Sequence, residues 1–277
     1  MNSLPEITKS QQDIIKLLYR YRFIDRIQIQ AFLKHKDKGR SNRWLKDLKE
    51  KQYIEQSYNA NDFVGKTKPA IYCLGINGIR YLRTSGQYPS TELRKRYTET
   101  SRRQLFIDRC LMLADCCINM EARNRDTSDL TYTYTLEADY ANEDNEYHFL
   151  TESEFVRPHL CYVKTKGNGI RSTTTWNLLE VIDASLPRYS VRKRLKNYIS
   201  FLNSYEWEEE TKYTVLPVIL IVCPTKAGLI YAKRSTRQAL ADMFGNADGV
   251  PDNIHVRFTT VEKIKELGVT GKVWEEA

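Results

Sequence analysis

One stretch constrains this chain more than any other, residues 24–74: IDRIQIQAFLKHKDKGRSNRWLKDLKEKQYIEQSYNANDFVGKTKPAIYCL. Asp25 is a natural cap for a short helix reaching Leu33, with Ile29, Phe32 and Leu33 turned inward. Residues 34–39 form a turn, and a further helix is predicted over 40–51. Its apolar positions Leu45 and Leu48 recur at helical spacing, so Asn42, Arg43, Lys46 and Lys49 fall on or near the opposite side. Tyr53 and Ile54 open a strand, turn-forming residues fill 59–68, and residues 70–74 return as a second strand. A helix over residues 8–21, with Ile14, Ile15, Leu17, Leu18 and Tyr21 on one stripe, precedes this stretch.

Helix, turn, helix and a two-stranded ribbon are the sequence form of a winged helix-turn-helix, whose second helix usually enters a DNA major groove. Arg40, Ser41, Asn42 and Arg43 occupy the groove-facing start of that helix. Arginine suits guanine edges and asparagine suits adenine. Lys38, Lys46, Lys66 and Lys68 are placed to contact phosphates from the turn, the helix and the wing. The bland alternative is an ordinary solvated helix face. One such module reads only a few base pairs, so a homodimer on two-fold symmetric half-sites of double-stranded DNA is expected.

Lys+Arg 43 against Asp+Glu 35 gives +8, which favours polyanion partners but also serves mere solubility. With 41% hydrophobic and 28% charged residues, the chain has the composition of a folded soluble protein. The six cysteines form no C-x-x-C pair, and the four histidines show no zinc-finger spacing, so reduced buried thiols in a cytoplasmic protein are expected, with no metal site. The most apolar run, residues 215–223, is too short for a membrane helix and contains Pro217, and no membrane role is indicated.

Residues 84–90, TSGQYPS, read as a linker, which divides the chain into a winged-helix domain at 1–86 and a second domain at 87–277. The second begins with one long helix over 91–124. Its basic start (Arg94, Lys95, Arg96, Arg102, Arg103) reads either as a phosphate-contacting helix or as a solvated helix end. Strands are expected at 130–136, 147–150, 160–163, 175–182, 215–223 and 254–258, with helices at 191–202, 225–243 and 260–267. The order defines an α/β domain with at least one crossover, so the whole reads as an α+β and α/β two-domain protein.

That order resembles the core of restriction-endonuclease-like folds. Enzymes of that group place an Asp and a Glu on neighbouring strands to hold a divalent metal, with a Lys two residues on. Here Pro158-His159 stands where Pro-Asp is expected, and Glu180-Val181-Ile182 puts isoleucine at the lysine position. Glu180, Asp183 and Lys193 are the weak catalytic candidates, with Glu152, Glu154 and Lys196 as compensating groups. Mg2+ enters only if that chemistry survives, and otherwise no cofactor is expected. The structural alternative pairs Glu180 with an arginine of the following helix. Phosphate-binding GxxxxGK[ST], dinucleotide-binding GxGxxG and zinc-binding HExxH patterns are all missing from the sequence.

Both halves resemble the replication-relaxation family of plasmids and mobile elements. The N-terminal resemblance lies in NRWLKDLKEKQYI and IYCLGINGIRYL; the C-terminal one in RPHLCYV, WNLLEVID, VRKRLKNYISFL and VILIVCP. It implies a winged helix-turn-helix followed by a degenerate nuclease-like domain, and a DNA-binding role in replication or its transcriptional control. Glu180, Lys193 or Lys196, and Tyr198 fit the family pattern, whereas His159 departs from it. The alternative is a metal-dependent nuclease or nicking protein that uses the second domain.

Overall fold

The computed structural model describes residues 4–57, 68–167, 169, 172–245 and 249–277. The chain forms two compact units, residues 1–118 and 119–277.

In the first unit, α1 (Lys9–Tyr21) buries Ile14, Ile15 and Leu18 completely, the stripe its spacing demands. Each such side chain contributes about 1.5–3 kcal/mol on leaving water. A two-residue strand, β1 (Ile24–Asp25), leads directly into α2 (Arg26–Phe32). Asp25 caps α2, accepting from the Gln28 amide at 2.8 Å, while the Gln28 side chain accepts in return from the Asp25 amide at 3.0 Å. The next helix, α3 (Lys38–Glu50), buries Ser41, Leu45 and Leu48. Strands β2 (Ile54–Ser57) and β3 (Ile71–Leu74) pair antiparallel, and β1 adds to the other side of β3, giving the order β1-β3-β2. The ribbon is therefore three-stranded, because Ile24 and Asp25 pair with Tyr72 and Ile71. The wing at 59–68 lies almost wholly outside the described residues.

After the ribbon comes α4 (Ile76–Ser85), which ends on Gly86 in the left-handed region at φ 69°. A short helix, α5 (Ser90–Arg96), and a 3-10 turn at Glu99–Ser101 precede α6 (Gln104–Asp126). The single helix expected over 91–124 is thus broken. At the break Glu99 is only 1% exposed and gathers the guanidinium groups of Arg22, Arg96 and Arg102.

The second unit is built on a mixed sheet of six strands in the order β4-β5-β6-β7-β8-β9. Strands β4 (Leu130–Leu136), β5 (Leu160–Lys166) and β6 (Thr173–Val181) form an antiparallel meander. The one-turn helix α7 (Glu137–Tyr140) follows β4. From β6, helix α8 (Arg188–Asn203) and the short α9 (Glu206–Thr211) cross to β7 (Val218–Cys223), parallel to β6. From β7, α10 (Lys226–Phe244) crosses to β8 (Val256–Thr260), again parallel. After α11 (Val261–Leu267), the edge strand β9 (Glu275–Glu276) runs antiparallel to β8.

All six residues of β7 are buried, as an uninterrupted apolar run flanked by parallel neighbours requires. The core packs Leu195, Tyr198, Ile199 and Leu202 of α8, with Leu229 and Ala232 of α10, against Ile219, Ile221 and Phe258 of the sheet. One local expectation is corrected. Residues 147–150 are not a strand but lead into a 3-10 turn at His148–Thr151, where the His148 ring meets the Tyr140 carbonyl at 2.7 Å and the Thr151 hydroxyl donates to the His148 carbonyl. The short α9 is anchored by Trp207, which is fully buried and donates its indole N–H to the Val215 carbonyl at 3.1 Å.

Candidate nucleic-acid interface

The start of α3 is fixed by Asp37, whose carboxylate accepts from the backbone N–H groups of Gly39 at 2.8 Å and Arg40 at 3.2 Å. Those two N–H groups, Arg40's first, hold the Asp37 carboxyl below its ordinary value, with the charges of Arg40 and Arg43 adding to the effect. A cap of this kind sets where the helix begins and therefore which side chains its first turns present.

The eight expected contact residues separate into three groups. Lys38, Arg40, Asn42, Arg43 and Lys46 are exposed on or at the start of α3, and Lys68 is exposed just before β3. Among the described residues Lys38, Arg40, Arg43 and Lys68 form no ion pair. Lys46 lies 3.8 Å from Glu50, but both are largely exposed, a pair worth little in water. Ser41 is a correction. It is completely buried and its hydroxyl donates to the Asp37 carbonyl at 3.3 Å, so it packs inside while its neighbours face out. The 41/45/48 spacing carried that signal, since a small residue at i−4 from Leu45 continues the buried stripe. Lys66 lies outside the described residues.

Of the two carboxylates within α3, Glu50 is exposed beside Lys46, and Asp47 is tied to Gln11 and Lys51. Asp47 accepts from the Gln11 side chain at 2.6 Å and from Lys51 at 2.8 Å, and Lys51 with Gln11 draws its pKa down. Arg40, Arg43 and Lys46 recur every three residues, a rise of about 4.5 Å per step. This cationic row, with Asn42 beside it, is of the length that spans a few base pairs.

In the basic run expected near residue 94, Arg94, Lys95 and Arg103 are exposed, whereas Arg96 does a different job. Arg96 is 2% exposed; it donates to the Tyr19 carbonyl at 3.0 Å and sits 3.6 Å from both Glu92 and Glu99. For Arg96 neither a phosphate-contacting position nor a solvated one holds. Glu99 also accepts from Arg22 at 2.7 Å and lies 3.6 Å from Arg102. The spacing of Glu92, Arg96 and Glu99 over two turns was the available signal for a buried network.

In the second unit Glu180 sits at the end of β6 and is 2% exposed. One carboxylate oxygen pairs with Arg194 and the other accepts from the Tyr198 hydroxyl at 2.9 Å. Burial, then the adjacent Glu180, pushes the Tyr198 phenol well up. The expectation that an arginine of the next helix holds Glu180 therefore matches the geometry. His159 Nδ1 accepts from the Val181 amide at 3.1 Å and lies 4.0 Å from Glu180, so this ring nitrogen carries no proton here. Asp183 accepts from the Ser185 amide and hydroxyl, both at 2.8 Å, and closes a turn. Lys193, Lys196, Glu152 and Glu154 are exposed, and Ile182 is buried.

This donor set does not suit Mg2+. Both Glu180 oxygens are engaged by α8, His159 directs Nδ1 to the backbone, and Ile182 offers no ligand. Among the described residues no group of three or more His, Cys, Asp or Glu side chains converges as a metal site. The described cysteines are all buried, and burial pushes the Cys73 and Cys223 thiols up to about 12, which disfavours the reactive thiolate. Among the described residues no helix is long and apolar enough to cross a membrane.

An ordered helix-turn-helix unit carrying an outward cationic row, followed by a mixed-sheet unit with a sequestered strand-end carboxylate, is the class that fold and site define. The chain belongs to the replication-relaxation family, whose profile matches residues 15–218. A comparison with curated proteins finds no match. Solved structures of ZitR from Lactococcus lactis show a partial likeness. One variant is 20% identical, covering 35% of this chain and 60% of that one at a TM-score of 0.25. Another is 17% identical, covering 46% and 79%, at a TM-score of 0.26. In the first, the chain matches about three fifths of the relative's length, and a likeness this partial carries no inference about ligand or mechanism.

Proposed function

We propose that this protein binds double-stranded DNA through α3, placed in the major groove, and acts in the replication of a plasmid or mobile element or in its transcriptional control. The observation that carries this reading is the cationic row Arg40, Arg43 and Lys46 with Asn42, exposed on a helix whose start is pinned by Asp37 and whose Asp47 is engaged by Gln11 and Lys51. Arg43 and Asn42 read base edges, while Lys38, Lys46, Lys66 and Lys68 meet phosphates. The protein works in the cytoplasm as a homodimer, because a single recognition helix covers too few base pairs to specify a site.

The second unit serves as a scaffold with the strand order of a nuclease-like core and without its chemistry. The capture of Glu180 by Arg194 and Tyr198 supports this over the metal-dependent nuclease reading. A mobility-shift titration of Arg43→Ala on a selected site and on random duplex tests the proposal. Selective loss on the selected site is expected, and equal loss on both would remove the base-reading role.

A further inference from the structure

The cationic charge of the second unit is not spread evenly. Helix α8 carries five Lys or Arg side chains and no carboxylate, and α10 carries four with Asp242 as its sole acid. The two helices together hold a net charge equal to the +8 of the whole chain. They pack beside one another: the Tyr231 hydroxyl of α10 donates to the Arg188 carbonyl of α8 at 3.0 Å, and the Arg188 guanidinium lies 5.3 Å from the Tyr231 ring.

On α8 the cations Arg192, Lys193 and Lys196 are exposed, opposite the buried Leu195, Tyr198 and Leu202. On α10 Lys226, Arg234 and Arg237 are exposed and line a groove of about 830 Å³ against α11. None of these six makes an ion pair or a side-chain hydrogen bond among the described residues. At the end of α3, by contrast, Lys46 lies near Glu50 and Lys51 pairs with Asp47, each one turn away. On α8 Arg192 and Lys196 stand one turn apart with like charge, an arrangement that disfavours the isolated helix. The groove wall also carries Lys233 and Lys263, against the carboxylates of Glu262, Glu266 and Glu275, so its cations outnumber its acids. Glu275 lies 2.6 Å from Lys263 and 3.5 Å from Lys233, an anionic group held between two lysines.

We propose that the outer faces of α8 and α10 form a second DNA-contact surface, one that grips the phosphate backbone of duplex DNA without reading sequence. The partner is argued from charge complementarity. From Lys226 to Arg237, α10 rises about 16 Å, and duplex DNA presents one charge per about 1.7 Å of axis, so the row meets several phosphates at once. Lys and Arg on exposed helix faces are the usual phosphate contacts. This surface goes beyond the role given to α3, and the two stand or fall separately.

The test uses the full chain and a random-sequence duplex, with affinity measured by fluorescence anisotropy from about 50 to about 200 mM salt. Two triple variants are compared with wild type: R192Q/K193Q/K196Q and K226Q/R234Q/R237Q. All six positions are exposed, and a thermal melt of each variant confirms folding. Each triple variant is expected to flatten the slope of log affinity against log salt by about 2 to 3 and to weaken binding at least about tenfold. Wild-type slope and affinity in both folded variants would overturn the proposal and assign the basic face to a different partner, such as an acidic protein. The variant R40A/R43A separates the two claims. If it leaves binding to a selected site unchanged while the triple variants lose random duplex, the α3 reading fails and this surface stands.

Discussion

Tyr198 donates its hydroxyl to Glu180 at 2.9 Å, and both side chains are buried. With Arg194 on the other oxygen, the strand-end carboxylate is held from two positions one turn apart on α8. Its role is to fasten that helix to β6.

Glu180→Ala should therefore cost stability. It strands a buried tyrosine hydroxyl and one arginine contact, so a loss of about 2–4 kcal/mol is expected in urea unfolding. Tyr198→Phe should cost less, about 1 kcal/mol, because Arg194 keeps its partner. Supercoiled plasmid incubated with Mg2+ or Mn2+ should stay intact with the wild-type protein. Cleavage that disappears in a folded Glu180→Gln variant would restore the nuclease reading.

The buried ion cluster of the first unit makes a stronger prediction. Glu99 is 1% exposed and faces Arg22, Arg96 and Arg102. Removing it leaves Arg96, itself 2% exposed, with less compensation for its charge, and burial already draws the Arg96 pKa down. Glu99→Ala should lower stability by about 3–5 kcal/mol, read as a shift in the urea midpoint at unchanged slope.

A close backbone approach governs Gly78. A Cβ there would lie 2.3 Å from the Tyr53 carbonyl oxygen, a backbone atom with no freedom to turn aside. Gly78→Ala should force α4 away from Tyr53, in the link between α3 and β2, and cost about 1–3 kcal/mol, despite the higher helix propensity of alanine.

The cap of α3 predicts a pH dependence. The folded pKa of Asp37 lies below its ordinary value of 3.8, so its contribution is fully present above 3.8 and is lost as pH falls through the lower folded value. The melting-temperature gap between wild type and Asp37→Ala should hold steady near neutrality and close at acid pH. A gap that widens on acidification would contradict the cap assignment.

Much of this was readable in the chain. The stripe Ile14, Ile15 and Leu18, the cap at Asp25 and the apolar run at Val218–Cys223 each obey a local rule, and the structure follows them. The parts that escaped depend on distant partners. Two-residue β1 has no periodicity and exists through Tyr72 and Ile71, far along the chain. Arg96 looks like any surface arginine until Glu92, Glu99 and the Tyr19 carbonyl surround it. Ser41 was misplaced because its polarity outweighed its position on the buried stripe, and a local hydrogen bond to Asp37 makes burial affordable for a hydroxyl. At Glu180 the arginine partner was legible, since α8 follows β6 with Arg194 and Tyr198 at helical spacing.

Base reading by α3 is measured most directly by selection of bound duplex from a random pool, followed by affinities of wild type and Arg43→Ala for the selected site and for random duplex. A two-fold symmetric site is predicted, with Arg43→Ala losing about 1–3 kcal/mol on that site and much less on random duplex. A selected pool without consensus, or equal losses on both duplexes, would contradict it.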